Sequence, residues 1–168
     1  QMVVRSRLVE QLNRGVAGPI TLVCAAAGYG KTTLVSAWLG RGGSHNDAGI
    51  AIPAAWLSLD EYDSDLVVFL RYFCAAVRTV FPAACSHTLA LLQALQQAPV
   101  AELIATLSSE INSLGRDFVL VMDDYHAITG TEVAALLARL ARHWPPILHL
   151  VLITRRDPLL PLSRLRAK

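Results

Sequence analysis

Apolar residues fall into two alternating patterns along this chain: short unbroken runs and stripes at helical spacing. The runs are Ile20-Thr21-Leu22-Val23-Cys24, Ala55-Trp56-Leu57-Ser58-Leu59, Phe118-Val119-Leu120-Val121-Met122 and Ile147-Leu148-His149-Leu150-Val151-Leu152-Ile153. Runs of this kind suit strands of a parallel sheet buried on both faces. The stripes are Leu66, Phe69, Leu70, Phe73 and Val77, then Leu103, Ile104, Leu107, Ile111 and Leu114, then Val133, Leu136, Leu137, Leu140 and Trp144. Each marks one face of a helix. Leu8, Val9 and Leu12 predict a short helix before the first run, and Leu34, Val35, Trp38 and Leu39 a helix after it. Residues 86–97 read as helical without a clean apolar face.

Breakers separate these elements: Gly15, Gly18 and Pro19, a polar loop over 40–47, Pro82, Gly115 and Pro145-Pro146. Asp60 to Asp65 lacks the glycine and terminal glutamate of a calcium loop, so Asp63, Ser64 or Asp65 is expected to cap the next helix. Strands alternating with helices predict an α/β domain with a doubly wound parallel sheet of four strands. The 168 residues are read as one domain, with 1–19 a leading helix and linker and 155–168 a basic, proline-containing tail.

Composition narrows the class. Hydrophobic residues make up 54 % of the chain, which excludes disorder. No apolar run reaches the roughly 18 residues that span a bilayer, and no leader pattern opens the chain. A soluble, cytoplasmic protein with no membrane partner is expected. Cys24, Cys74 and Cys85 have no metal spacing and read as core thiols of a reducing compartment. A net charge of +2 does not imply nucleic-acid binding by the domain as a whole.

The first run leads into Ala25-Ala26-Ala27-Gly28-Tyr29-Gly30-Lys31-Thr32-Thr33, and a helix follows. Strand, glycine loop, Lys-Thr and helix in that order form a phosphate-binding P-loop. Gly28 and Gly30 let backbone N–H groups turn inward, and the helix start near Lys31 adds its dipole. Lys31 is positioned for β- and γ-phosphates and the Thr32 hydroxyl for Mg²⁺. The fuller pattern has a glycine where this chain has Ala25, so the loop must begin with ordinary dihedrals there. Lysine occurs only at 31 and 168, which makes a chance Gly-Lys-Thr less probable.

A second stretch supplies acids. Asp123 and Asp124 follow the third run, at the strand end where ligands of open α/β sheets bind. Asp123 suits Mg²⁺ held through water, and Asp124 suits a group that orients a water for attack on the γ-phosphate. Arg155 ends the fourth run and suits γ-phosphate sensing. Arg5 and Arg7 fit either a solvated face or a place near the nucleotide. Guanine specificity is not expected, because neither an N-K-x-D nor a D-x-x-G motif is present.

Ala27-Gly28-Tyr29-Gly30-Lys31-Thr32-Thr33-Leu34, Trp56-Leu57-Ser58-Leu59-Asp60, Val121-Met122-Asp123-Asp124-Tyr125-His126 and the segment Thr154 to Leu162 occur in order. Together they resemble the N-terminal ATPase domain of maltose-activator-like, large ATP-binding LuxR-type transcriptional regulators, in the STAND class of P-loop NTPases. The resemblance begins near Arg5. It implies nucleotide binding through Ala27, Gly28, Tyr29, Gly30, Lys31, Thr32, Thr33 and Arg5, metal binding through Thr32 and Asp123, and catalysis through Asp124 and Arg155. ATP or ADP with Mg²⁺ would act as a switch in signal-responsive transcription, with slow hydrolysis. An inducer and DNA would be met through regions outside this chain. The resemblance further implies an additional-strand sheet in which the P-loop strand lies beside the Arg155 strand. A fifth strand is then expected beyond residue 168, leaving the P-loop strand at the sheet edge and prone to self-association. Two rival readings are a P-loop kinase for a small molecule and a scaffold that holds nucleotide without turnover.

Overall fold

Along β3 (Phe118–Asp123) every residue is buried, and the reason is a clean alternation between two cores. Val119 and Val121 enter one apolar cluster, while Phe118, Leu120 and Met122 enter the other. β4 (Leu148–Thr154) repeats this, with Val151 and Ile153 on the first side and Leu148, Leu150 and Leu152 on the second. Successive side chains of a strand point to opposite faces, so an unbroken apolar run is what a sheet covered on both sides requires.

The computed structural model describes residues 6–40, 51–94, 99–158 and 160. Within them β1 (Ile20–Cys24), β2 (Ala54–Ser58), β3 and β4 form one parallel sheet in the order β1-β4-β3-β2. Helices α1 (Ser6–Gly15) and α2 (Lys31–Gly40) supply Leu12, Val35 and Trp38 to the smaller core. Helices α3 (Leu66–Val80), α4 (Ser86–Gln93), α5 (Val100–Asn112) and α6 (Thr131–Leu140) cover the opposite face. The fold is therefore the doubly wound α/β sheet expected, with the Arg155 strand inserted between the P-loop strand and the Asp123 strand. Among the described residues β1 pairs only with β4, and its residues are half-buried or exposed where those of β3 and β4 are buried.

Several expectations need adjustment. Cys74 and Cys85 are buried core thiols, and their mutual hydrogen bond, with burial, pushes the Cys74 thiol up. Cys24 is exposed, because it ends the edge strand beside the open loop. Trp144 is not on α6: the helix gives way at Leu140 to a 3₁₀ turn over Ala141–His143. Leu114 likewise lies past the end of α5, before Gly115 at φ 68°. Asp65 is the cap of α3, accepting from the N–H groups of Val67 and Val68, while Asp60 and Asp63 cap a preceding 3₁₀ turn, Glu61–Ser64. The expected loop over 40–47 (except Gly40), the last residues of the 86–97 helix and nearly all of the 155–168 tail past Pro158 lie outside the described residues.

Candidate functional site

Three strand ends converge on the P-loop. β1 delivers the chain to Ala25, whose N–H donates to the Thr154 carbonyl of β4 at 3.3 Å. From there the loop turns through Gly28 at φ 80° and Gly30 at φ 72°, conformations open to glycine and costly for a residue with a Cβ. A Cβ at either glycine would meet nothing within 4 Å, so the backbone conformation alone demands glycine here. Ala25 is not among the residues with positive φ, and the missing glycine costs the loop nothing at that point. α2 then opens at Lys31, with Leu34 N–H donating to Gly30 O at 2.9 Å.

Lys31 folds over its own loop. Its Nζ donates to the carbonyls of Ala25 at 2.7 Å and Ala26 at 2.9 Å. Those bonds hold the ammonium at the entry of the loop, and its residue opens α2, whose N-terminal end is positive. Ala27, Gly28, Tyr29, Gly30, Thr32 and Thr33 are all solvent-exposed. A cavity of about 270 Å³ adjoins the loop, with Leu8 and Gln11 of α1, Cys24, Tyr29, Lys31 and Leu34 among its walls.

The acids meet the loop from β3. Thr32 Oγ1 donates to Asp123 Oδ1 at 3.3 Å, and the Asp124 N–H donates to the same oxygen at 2.9 Å. Asp123 is 5 % exposed, so this carboxylate is fixed by neighbours rather than by water. Asp124 leaves the strand in the left-handed conformation, φ 54° and ψ 35°, which Asp tolerates better than most residues. That turn carries its side chain towards Arg155, whose Nη2 lies 3.9 Å from Asp124 Oδ1. The structure thus brings Lys31, Thr32, Asp123, Asp124 and Arg155 to one end of the sheet. Arg5 lies outside the described residues, and Arg7 is exposed on α1.

Two residues at this end carried no assignment from the sequence. Thr154 is buried at the end of β4; its hydroxyl donates to Arg156 O at 2.8 Å and its carbonyl receives the Ala25 N–H. A Thr immediately after an apolar run and before Arg-Arg is the available signal, since hydroxyls favour such turns. His126 sits in the 3₁₀ turn Tyr125–Ala127, with Nδ1 3.7 Å from Asp124 Oδ1. Burial, then the Arg155 charge, lowers its pKa against the opposing pull of Asp124. Next to it, burial pushes the Tyr125 hydroxyl up to about 12.

Two larger cavities are present among the described residues. One of about 670 Å³ runs along the 3₁₀ turn and α6, and one of about 450 Å³ lies at the opposite end of the sheet, beside His149 and Trp144. Neither gathers an ammonium, a hydroxyl and carboxylates as the P-loop end does.

The chain is 34 % identical over 166 residues to the HTH-type transcriptional regulator MalT of two Klebsiella pneumoniae strains, ATCC 700721 / MGH 78578 and 342. That match takes in 99 % of this chain but 17 % of those relatives, so the chain spans about one sixth of their length. The resemblance to maltose-activator-like regulators thus holds across nearly all of the chain. No protein-family model matches it. Among solved structures, the Aeropyrum pernix ORC1 protein in complex with DNA superposes with TM-score 0.61 and 16 % identity, over 93 % of this chain and 40 % of that one. Drosophila ORC bound to DNA superposes with TM-score 0.56 and 14 % identity, over 95 % and 40 %. These two share the fold.

Proposed function

We propose that this chain, a relative of the MalT-type transcriptional regulators over nearly its whole length, is their ATP-binding switch domain. The observation that supports this best is the pairing of a P-loop hydroxyl, Thr32, with a buried strand-end carboxylate, Asp123. A hydroxyl and a carboxylate in contact at a phosphate-binding loop form an oxygen donor set suited to Mg²⁺, which keeps waters and takes one or two protein ligands. The loop N–H groups and Lys31 bind the phosphates, and the nucleoside extends toward the cavity between α1 and β1. Mg²⁺ supplies charge neutralisation on the phosphates when bound. Asp124 orients a water, and Arg155 leaves Asp124 for the γ-phosphate when ATP arrives.

A switch needs slow chemistry, and the site as described is open: the loop residues are exposed and Tyr29 is 64 % exposed. Free access of water weakens electrostatic stabilisation, so slow hydrolysis is the expected behaviour. The edge position of β1 adds a route to self-association, through a strand with one partner among the described residues. Inducer recognition and DNA binding are assigned to other parts of the regulator, with residues 1–168 acting as one nucleotide-binding unit in the cytoplasm.

Nucleotide extraction from the purified protein, followed by hydrolysis assays with and without Mg²⁺, tests this reading. Bound ATP or ADP and slow, Mg²⁺-dependent phosphate release support it. ADP release stimulated by an added small-molecule acceptor would favour a kinase instead. Tightly held nucleotide with no turnover would favour a scaffold.

A further inference from the structure

We propose that Cys74 and Cys85 are a redox pair, which a peroxide closes into a disulfide that staples α3 to the start of α4. This goes beyond the nucleotide reading and does not depend on it.

The two thiols come from different elements and meet in the larger core. Cys74 lies in the interior of α3 and Cys85 is the cap residue of α4, and both are buried. They share a hydrogen bond, so the sulfurs already stand side by side, the approach that an S–S bond of about 2.05 Å requires.

A strained backbone places Cys85 there. Its φ is 59° and its ψ 24°, the left-handed region that a residue with a Cβ enters only at a cost. A cap residue ordinarily hydrogen-bonds the helix through its side chain, and Cys85 makes no such bond. Glu110 of α5 caps α4 in its stead, accepting from the N–H groups of His87 and Thr88 at 2.8 and 2.9 Å. The turn before α4 is held without the thiol as well. Arg78 Nε donates to Pro82 O at 2.9 Å, and Ala84 N–H donates to Phe81 O at 2.9 Å. What the left-handed position delivers is the contact between the two sulfurs, and backbone strain of this kind points to function.

The two cysteines take different roles. The hydrogen bond to Cys85, then burial, pushes the Cys74 thiol up, so Cys74 keeps its proton. α4 buries two residues, Thr88 and Leu92, whereas α3 buries six. The less anchored helix lifts more readily, and Cys85 at its start meets the oxidant first. The Cys85 sulfur attacks hydrogen peroxide; an S–O bond forms, the O–O bond breaks, and one water leaves with the thiol proton. The Cys74 sulfur then displaces the hydroxyl of that sulfenic acid. The S–S bond forms, the S–O bond breaks, and a second water leaves with the Cys74 proton. Two electrons pass from the pair to the peroxide, and a reducing thiol reverses the step.

Peroxide treatment of the folded 168-residue chain carrying Cys24→Ser, which removes the exposed thiol, tests this. Trypsin cuts after Arg78, so the two cysteines fall on separate peptides unless they are bonded. Mass mapping without reductant should find these peptides joined, with two hydrogens lost, and separated again by dithiothreitol. The closed form should melt higher by on the order of 5 °C. Glu110→Ala, which frees the start of α4, should speed closure roughly tenfold. Thiols that react only in urea would make the pair inert core packing and overturn the proposal. Sulfinic or sulfonic acid in place of the cross-link, an unchanged melting temperature on closure, or a Glu110→Ala rate equal to the parent's would overturn it too.

Discussion

Thr32 and Asp123 stand 91 residues apart in the chain, yet the Thr32 hydroxyl donates to the Asp123 carboxylate at 3.3 Å. The contact joins the first turn of α2 to the end of β3, and it forms because β4 separates β1 from β3 by one strand width. Asp123→Asn keeps an acceptor for Thr32 but removes the charge that a divalent cation needs. ATP affinity in EDTA should be nearly unchanged. The gain in affinity on adding Mg²⁺ should fall by about tenfold, on the order of 1.4 kcal/mol. Equal Mg²⁺ enhancement in parent and variant would remove Asp123 from the metal site.

Asp124→Asn separates binding from chemistry. Its ion pair with Arg155 is half-exposed and contributes little to stability, so the melting temperature should hold. Binding of ATP should persist and phosphate release should stop. Hydrolysis at the parent rate would show that Asp124 does not orient the attacking water.

Glu110 of α5 caps a different helix. Its carboxylate accepts from the N–H groups of His87 and Thr88 at 2.8 and 2.9 Å and from the Thr88 hydroxyl at 2.7 Å. Burial alone would raise its pKa, but the hydrogen bonds from Thr88 and His87 outweigh burial and lower it below the ordinary 4.5. A depressed carboxyl contributes stability above its unfolded pKa and loses it as pH falls through the folded value. Glu110→Ala should cost about 1–2 kcal/mol at neutral pH, and the difference from the parent should shrink in acid. Urea titrations at neutral pH and below pH 4.5 check both statements.

His149 works in the opposite half of the molecule. It is buried between the Thr21 hydroxyl and the Gly18 carbonyl, tying edge strand β1 to central strand β4. Burial lowers its pKa below 6.5, against the opposing Gly18 bond. The unfolded chain then binds the proton more readily, so stability falls as pH drops below 6.5. Melting temperatures should decline between about pH 7.5 and 5.5, and His149→Asn should flatten that slope. An identical slope in the variant would place the titrating group elsewhere.

The strands were legible in the sequence because burial on both faces leaves no polar position to blur the run, as along Phe118–Met122. Two strands shift in detail: β2 spans Ala54–Ser58, one residue earlier than its apolar pattern, and β4 spans Leu148–Thr154, one residue later than its own. Lys31, Thr32 and Asp123 were legible because a P-loop and a strand-end acid each have a local signature. The approach of His126 to Asp124 was not. His126 approaches it only because Asp124 adopts φ 54° and a 3₁₀ turn follows. Glu110 was hidden for a similar reason, since a cap supplied 22 residues away leaves no local pattern. Cys24 was misjudged because its apolar run reads as buried, whereas it ends the edge strand beside the open loop.

The central claim is that this loop binds nucleotide phosphates through Lys31. Titration calorimetry of the parent and of Lys31→Ala with ATP and Mg²⁺ tests it most directly. Among the described residues Lys31 bonds only carbonyls of its own loop, at 2.7 and 2.9 Å, so its removal should leave the fold and the melting temperature nearly unchanged. ATP affinity should fall at least tenfold, about 1.4 kcal/mol or more. Equal affinity for ATP in the two proteins, or no binding by the parent, would contradict the account.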